Sequence, residues 1–309
     1  MKSFAEYLTE DVSDVVETRR QNMVHFQDMK PVEFINFLRE IKSVMGGKLK
    51  DLKTVMKVDG LGYRFGRDRH GNIFVEGSRT GPIFDDKAFS NYAKANSIDP
   101  DVIARAEHYD DILTLFKNQS FMRSVPDDRK VVCEIFYNPM AAESETGITF
   151  VTVEYDKNKL GKLMTILPYG VYVASTGEPA DDSSIIIRDL ISQSNSDIKI
   201  INPQLKMGTI DINAFIDPIL SLGPNAINVL ISRKAVDKSA KEAILGVINK
   251  VKDELADYLL NHPEIVGKYN LGPNIEGIVL HIRGKVYKIT TPEFKSNIAA
   301  KKAAYNATH

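Results

Sequence analysis

The feature that most constrains this chain is a lysine, an acid and a second lysine carried by strand-like segments far apart in the sequence. Lys57 lies in Met56–Gly60, which has the pattern K-x-D-G. Glu276 opens the pattern E-G-I-V, and Lys288 follows in another strand-like run. Either half alone is an ordinary pattern. Both halves in this order indicate one shared site.

Composition excludes several classes of protein. The 309 residues suffice for a large core, in one domain or one domain with an appendage. Forty Lys and Arg residues against 41 Asp and Glu give no global electrostatic attraction to nucleic acid. A single cysteine excludes an internal disulfide framework. No apolar run approaches the roughly 20 residues of a membrane helix, so a cytoplasmic protein without a membrane partner is expected.

Apolar periodicity and turn residues predict a mixed α and β chain. Strands are expected at 52–66, 73–79, 130–137, 147–155, 162–173, 198–202, 227–232, 275–281 and 284–290. Residues 3–20 are expected to form one short amphipathic helix followed by a flexible acidic stretch. Further helices are expected from Pro31 to Met45 and at 86–95, 100–117, 183–193, 212–222, 239–260 and 298–309.

Two lysines and a glutamate such as Lys57, Lys288 and Glu276 can carry out phosphoryl transfer through an amine. A lysine attacks phosphorus only as the free amine, so its pKa of about 10.4 must be lowered by burial or by nearby cations. Cations that bind the phosphates also neutralise charge in the transition state. Carboxylates can hold the ribose and a divalent metal.

These motifs resemble those of the covalent nucleotidyltransferases, which include ATP-dependent DNA and RNA ligases and mRNA capping enzymes. The segment Arg79–Ile83, R-T-G-P-I, is similar to the R-T-G-x-I of phage RNA ligases of the second type. The resemblance covers residues 52–155 and 275–295. It implies that Lys57 is the catalytic nucleophile, that Glu276 binds the catalytic metal, and that Lys288 contacts the α-phosphate.

The resemblance also implies a set of nucleotide-binding residues, with Glu134 on the ribose and Phe150, chosen over Tyr155, stacking on the base. Arg64 would replace an arginine that many members carry at the position of Gly62. Thr290 stands where the family usually has a second lysine. The full predicted set is Lys57, Asp59, Gly60, Arg64, Arg79, Glu134, Phe150, Glu276 and Lys288.

The fold that the resemblance implies is α+β: an ATP-grasp-like ligase core of twisted, mainly antiparallel sheets. Residues 1–50 would form an N-terminal helical region. Residues 51–309 would form the core, with a helical insertion at about 178–272 and no C-terminal OB barrel.

The implied reaction uses ATP with Mg²⁺ or Mn²⁺ and passes AMP to the 5′-phosphate of an RNA or DNA end. A capping-type guanylyltransferase is one alternative. The other is a virion-internal protein that keeps the fold without turnover.

Residues 1–10 resemble a leader of large tailed phages cut after Glu10, although an amphipathic helix explains them equally well. A phage protein would act in the infected cytoplasm or be packaged in the virion, and the oligomeric state stays open.

Two reactive side chains are expected to be structural. Cys133 lies in an apolar run and is predicted to be a small buried residue, not a nucleophile. His70 lies in a predicted turn and is expected to be exposed to solvent. Glu134 differs from both, because a carboxylate in an apolar strand is costly to bury without a partner.

Overall fold

The computed structural model describes residues 23–45, 52–58, 60–77, 81–96, 100–137, 155–205, 212–223, 238–261, 271, 275–282 and 285–308. These residues form two mixed sheets and seven α-helices. The chain divides into two compact units. Unit A takes its described residues from 18–57, 204–269 and 273–309, and unit B takes them from 58–203 and 270–272.

The strands are β1 (Met23–His25), β2 (Leu52–Lys57), β3 (Leu61–Arg67), β4 (Ile73–Gly77), β5 (Arg129–Tyr137), β6 (Met164–Val173), β7 (Ile198–Ile200), β8 (Gln204–Leu205), β9 (Gly277–Ile282) and β10 (Lys285–Thr290). The helices are α1 (Pro31–Met45), α2 (Ala88–Asn96), α3 (Pro100–Lys117), α4 (Ser183–Ser192), α5 (Asn213–Ser221), α6 (Lys238–Asn261) and α7 (Pro292–Thr308).

Unit A is built on a sheet of order β1-β10-β9-β2-β8, in which β1 and β10 are parallel and the other pairs are antiparallel. Helix α1 packs on one face of this sheet through an aromatic cluster. The Phe37 ring lies 4.8 Å from that of Tyr287 and 5.2 Å from that of Phe26. The α1 residues Phe34, Leu38 and Ile41 are buried, as the predicted apolar stripe requires.

Unit B is built on a sheet of order β4-β3-β5-β6-β7, in which the β6–β7 pair is parallel and the others are antiparallel. Alternation along β3 sends Tyr63 and Phe65 into the hydrophobic core, where Phe65 meets Phe116 of α3. Gly62 and Arg64 therefore point to the opposite face. One side of the unit B sheet thus packs on the hydrophobic core. The opposite side, called the polar face, carries Arg64, Lys130 and Glu134 together with the buried Phe136.

The prediction of one strand over 52–66 is wrong. Strand β2 ends at Lys57 in the unit A sheet, and β3 begins at Leu61 in the unit B sheet. The physical reason is the turn-forming D-G pair that follows Val58. A Cβ at Gly60 would lie 3.1 Å from the Ile135 carbonyl oxygen, so glycine also permits a close approach of two backbones.

Most other predicted elements are confirmed to within a few residues, including α1 to α6 and the pair β9–β10. The last helix begins at Pro292, six residues before the predicted start. Thr291 supplies an N-cap, since its Oγ1 accepts a hydrogen bond from the Phe294 backbone N–H at 3.2 Å. The short helix predicted within 3–20, the strand at 227–232 and most of the strand at 147–155 lie outside the described residues.

The chain is thus a mixed α and β protein with two mainly antiparallel sheets and, within the described ranges, no closed barrel. The stretch predicted as a helical insertion supplies strands to both sheets, because β7 pairs with β6 and β8 pairs with β2. None of the described helices combines the length and apolar character needed to cross a membrane.

Candidate active site

The carboxylate of Glu276 bridges the side chains of Lys57 and Lys288. Its Oε2 lies 2.9 Å from the Lys57 Nζ, and its Oε1 makes an ion pair with the Lys288 Nζ. Glu276 is only 3% exposed. All three residues belong to unit A. Both lysines predicted to act in the site are therefore within contact distance of the predicted glutamate.

Strand register brings the two lysines to one face of the sheet. Lys57, the last residue of β2, lies opposite Gly277 of β9, and Lys288 of β10 lies opposite Val279. Residues that face each other across antiparallel strands project to the same side. Gly277 and Val279, two residues apart, share a side as well. Lys57 and Lys288 thus flank the start of β9.

Glu276 reaches this face because it lies in a bend, not in the regular strand. Regular alternation would direct residue 276 to the opposite side, together with Ile278 and Leu280. The next residue, Gly277, has no room for a side chain, since a Cβ there would lie 1.9 Å from the Ile289 carbonyl oxygen. The glycine of E-G-I-V therefore lets β9 and β10 approach closely beside the lysines.

Thr290 occupies the position where the resembling family usually has a second lysine. Its side chain is 7% exposed, and its Oγ1 lies 3.4 Å from Gln27 Oε1. The Gln27 amide donates to the Thr290 carbonyl oxygen at 2.9 Å. Lys252 of α6 donates in turn to the Gln27 carbonyl oxygen at 2.9 Å. Position 290 thus belongs to a packed hydrogen-bonded connection between β10 and the segment after β1.

The polar face of the unit B sheet carries two of the predicted nucleotide-binding residues, Arg64 and Glu134. Glu134 lies opposite Gly62, two residues before Arg64 on β3. The Tyr169 hydroxyl donates to Glu134 Oε2 at 2.9 Å. Tyr169 is the extra residue of a β-bulge in β6, and bulges of this kind redirect a side chain.

Arg64 also has a structural partner that sequence reasoning missed. Glu76 of β4, 5% exposed, lies 3.6 Å from the Arg64 guanidinium and accepts from Lys130 at 3.2 Å. A buried carboxylate with two cationic partners satisfies the requirement that buried charge be paired. The acid inside the apolar segment Ile73–Gly77 is the signal that could have revealed this pair.

The structure therefore assembles part of the predicted site in each unit. Lys57, Glu276 and Lys288 are brought together in unit A, and Arg64 and Glu134 share one face in unit B. Gly60 lies between β2 and β3. Asp59, Arg79 and Phe150 lie outside the described residues. Tyr155, the alternative base platform, is buried with its ring 4.8 Å from that of Phe136.

Cys133 and His70 behave as predicted. Cys133 is 2% exposed within the hydrophobic core, and burial raises the pKa of its thiol well above its usual value. Because the thiolate is the reactive form, a raised pKa makes this cysteine a poor nucleophile. His70 is exposed in the turn between β3 and β4.

The described residues include no group of three or more His, Cys, Asp or Glu side chains that could hold a metal ion. Among the described residues, Glu276 is the carboxylate that contacts both lysines. One carboxylate fits Mg²⁺ in the common arrangement in which substrate phosphates and water supply the remaining ligands. A metal at this position would share Glu276 with at least one of the lysines.

Comparison of the chain with models of protein families, with curated proteins and with solved structures returns no match. The assignment to the nucleotidyltransferases accordingly stays a proposal, based on motifs and on the geometry of the residues that carry them.

Proposed function

We propose that this chain is an ATP-dependent nucleotidyltransferase that forms lysine-linked AMP on Lys57 and passes AMP to the 5′-phosphate of an RNA or DNA end. The observation that carries the proposal is the buried Glu276 carboxylate shared by Lys57 and Lys288. Three separate segments supply these groups: Lys57 ends β2, Glu276 lies in the bend before β9, and Lys288 lies in β10.

In the first step, Lys57 gives up one proton to solvent and attacks the α-phosphorus of ATP as the free amine. A nitrogen–phosphorus bond forms, the bond from the α-phosphorus to the bridging oxygen breaks, and pyrophosphate leaves with the electron pair. The nitrogen loses a second proton to solvent as this bond forms. In the second step, a 5′-phosphate oxygen attacks the same phosphorus, the nitrogen–phosphorus bond breaks, and the amine recovers a proton.

The roles of the three residues follow from their charges. Glu276 holds the Lys57 side chain in place before ATP binds. Lys288, on the same face, is suited to neutralise the charge that develops on the α-phosphate. Two ammonium groups and one carboxylate carry a net positive charge, which favours an incoming polyphosphate. Mg²⁺ or Mn²⁺ bound through Glu276 and the phosphates would polarise the phosphoryl oxygens.

Arg64 and Glu134 are proposed to bind the nucleotide, with Glu134 on the ribose. Their common face and the hydrogen bond from Tyr169 support this role, because the hydrogen bond orients Glu134 while its side chain stays partly exposed. Asp59, Gly60, Arg79 and Phe150 complete the proposed nucleotide-binding set on the strength of the motifs alone.

The competing explanation is a purely structural ion pair. A buried carboxylate between two lysines is a costly way to stabilise a sheet, since well-packed apolar residues often do as well or better. The lysines are also not sealed from solvent, with side chains 19% and 14% exposed for Lys57 and Lys288. A reactive site needs this combination of a fixed amine and access for the substrate.

The decisive experiment is the intact mass of the purified protein after incubation with ATP and Mg²⁺. The wild-type protein should gain the mass of one AMP residue, and Lys57→Ala should gain none. Lys53→Ala is the matched control. Lys53 lies on the same face of β2 as Lys57, but it pairs with His281, whereas Lys57 pairs with Gly277 next to Glu276. Lys53→Ala should label like the wild-type protein. Equal labelling of Lys57→Ala would refute the assignment of the nucleophile.

Competition between ATP and GTP separates the two kinds of nucleotidyltransferase. ATP should label the protein in the presence of excess GTP, whereas preferential labelling by GTP would favour a capping-type guanylyltransferase. A protein that gains no mass with ATP, GTP or NAD would contradict the proposal and favour a virion or interaction role without turnover.

A further inference from the structure

Thr291 holds both peptide groups that flank the Cα atom of Glu276. Its backbone N–H donates to the Glu276 carbonyl oxygen at 2.8 Å. Its hydroxyl donates to the Ile275 carbonyl oxygen at 3.2 Å. The carbonyl groups of residues 275 and 276 belong to the peptide planes on either side of the Glu276 Cα. Fixing both planes fixes the direction in which the Glu276 side chain leaves the backbone.

This direction decides whether the carboxylate reaches the lysines. A regular β9 would send residue 276 to the side of Ile278 and Leu280, away from Lys57 and Lys288. The bend at Glu276 overrides that alternation. The two hydrogen bonds from Thr291 act on this bend.

Thr291 also connects the bend to helix α7. Its hydroxyl oxygen accepts from the Phe294 N–H and so caps the helix, and Pro292 occupies the favoured first helical position. The Phe294 ring centroid lies 5.9 Å from the Lys288 Nζ, within range of a cation–π contact. The first turn of α7 therefore contacts both partners of the Glu276–Lys288 ion pair.

We propose that Thr291 is a positioning residue that aims the Glu276 carboxylate at Lys57 and Lys288, and that its hydroxyl does so by donating to the Ile275 carbonyl oxygen. This inference rests on the proposed nucleotidyltransferase function for its kinetic consequence. The structural part, the direction of Glu276, stands independently of any activity. Thr291 itself contacts neither lysine in the described contacts, so it acts through Glu276.

Four substitutions separate helix capping from positioning. Thr291→Ser and Thr291→Asn keep a group that can accept from the Phe294 N–H and donate to the Ile275 carbonyl oxygen. Thr291→Asp keeps the cap, but an ionised carboxylate has no hydrogen to donate. Thr291→Val has neither the cap nor the donor, and it adds no charge. The most informative comparison is between Thr291→Asp and Thr291→Asn, because these side chains have nearly the same shape and only Asn can donate.

The measurement is the rate of AMP uptake as a function of ATP concentration, together with the thermal midpoint of each variant. Thr291→Asp and Thr291→Val should slow labelling at saturating ATP by roughly tenfold to a hundredfold, the range found when an orienting contact is removed. The ATP concentration for half-maximal rate should change little. Thr291→Ser and Thr291→Asn should stay within about threefold of the wild-type rate. Thr291→Asp should keep the helix cap but lower the thermal midpoint, because Glu276 then loses part of its pairing with the two lysines.

Wild-type labelling by a folded Thr291→Asp or Thr291→Val protein would overturn the inference. So would slow labelling by Thr291→Ser, which retains the donor. A crystal structure of Thr291→Asp supplies a readout without activity: the carboxylate of Glu276 should leave at least one lysine, and unchanged contacts would refute the positioning role. A wild-type protein that takes up no AMP would instead refute the proposed function and leave this structural result standing.

Discussion

The Nζ of Lys57 and the Oε2 of Glu276 lie 2.9 Å apart, although the two residues belong to motifs at opposite ends of the described chain. Lys288 binds the other oxygen of the same carboxylate. Because Glu276 is almost completely buried, each lysine compensates part of a charge that water cannot reach. The arrangement makes the three residues energetically interdependent, and the first prediction follows from that dependence.

Glu276→Gln should lower the free energy of unfolding by about 3–5 kcal/mol, since it leaves two partly buried ammonium groups without their carboxylate. Adding Lys288→Met in the same protein should recover part of this loss, because it removes one of the unpaired charges. Urea denaturation of the two single variants and the double variant measures the coupling. Strictly additive losses would mean that the ion pair between Glu276 and Lys288 does not form in solution.

Gly277→Ala should destabilise the protein by about 1–3 kcal/mol, the usual cost of forcing extra atoms into a packed site. The new Cβ would lie 1.9 Å from the Ile289 carbonyl oxygen, so β10 and the adjacent Lys288 must shift. AMP uptake should fall as well.

Gly246→Ala is the matched control for this substitution. Gly246 lies within α6, and a Cβ there meets nothing within 4 Å. Its replacement should raise the free energy of unfolding by about 0.5–1 kcal/mol through helix propensity. Equal effects of the two substitutions in thermal unfolding would contradict the close approach of β9 and β10.

His281 should make the protein less stable as the pH falls below neutrality. Burial, and then the ammonium group of Lys53 on the neighbouring strand, lower the pKa of His281 in the folded protein. The unfolded chain, with a histidine pKa near 6.5, therefore takes up a proton first. The contribution of neutral His281 to the free energy of unfolding is therefore complete above about pH 6.5. It is lost as the pH falls from there toward the lower pKa that His281 has in the folded protein.

Urea denaturation between neutral and mildly acidic pH tests this contribution. His281→Gln should flatten the dependence of the unfolding free energy on pH in this window. Lys53→Met should reduce it only in part, because burial remains the larger cause. An unchanged slope in His281→Gln would assign the dependence to other groups.

Tyr169→Phe should weaken the binding of ATP more than it slows the attack on the α-phosphorus. Loss of the hydroxyl removes one contact that orients Glu134, so part of the order of this side chain would then have to form when the nucleotide binds. The ATP concentration for half-maximal labelling should rise by roughly threefold to tenfold, with a nearly unchanged rate at saturation. Tyr137→Phe, which loses a phenol hydroxyl near Asp111, is the control and should leave both quantities unchanged. A fall in the saturating rate alone would argue against nucleotide binding by Glu134.

Local sequence patterns predicted much of the fold. The apolar residues of α1 and the apolar runs of β5, β9 and β10 lie in short segments whose own residues select helix or strand. The same patterns failed at residues 52–66. There the apolar run continues through a D-G pair, and only the pairing partners reveal that its two halves belong to different sheets.

Contacts between residues that are far apart in the sequence could not be predicted. Glu76 with Lys130, Tyr169 with Glu134, and Gln27 with Thr290 all join residues whose proximity depends on sheet register. The redirection of Tyr169 additionally requires the bulge in β6. A bulge depends on how two strands pair, which a single strand's sequence does not specify.

The sequence by itself singled out the three residues proposed to carry the chemistry, because the motifs around Lys57, Glu276 and Lys288 resemble those of the nucleotidyltransferases. Only the tertiary structure decided that one buried carboxylate serves both lysines. That outcome depends on the register of β2, β9 and β10 and on a bend that turns Glu276 against the strand alternation. The hydrogen bonds of Thr291 act on that bend, and they form only when the chain after β10 returns to the start of β9.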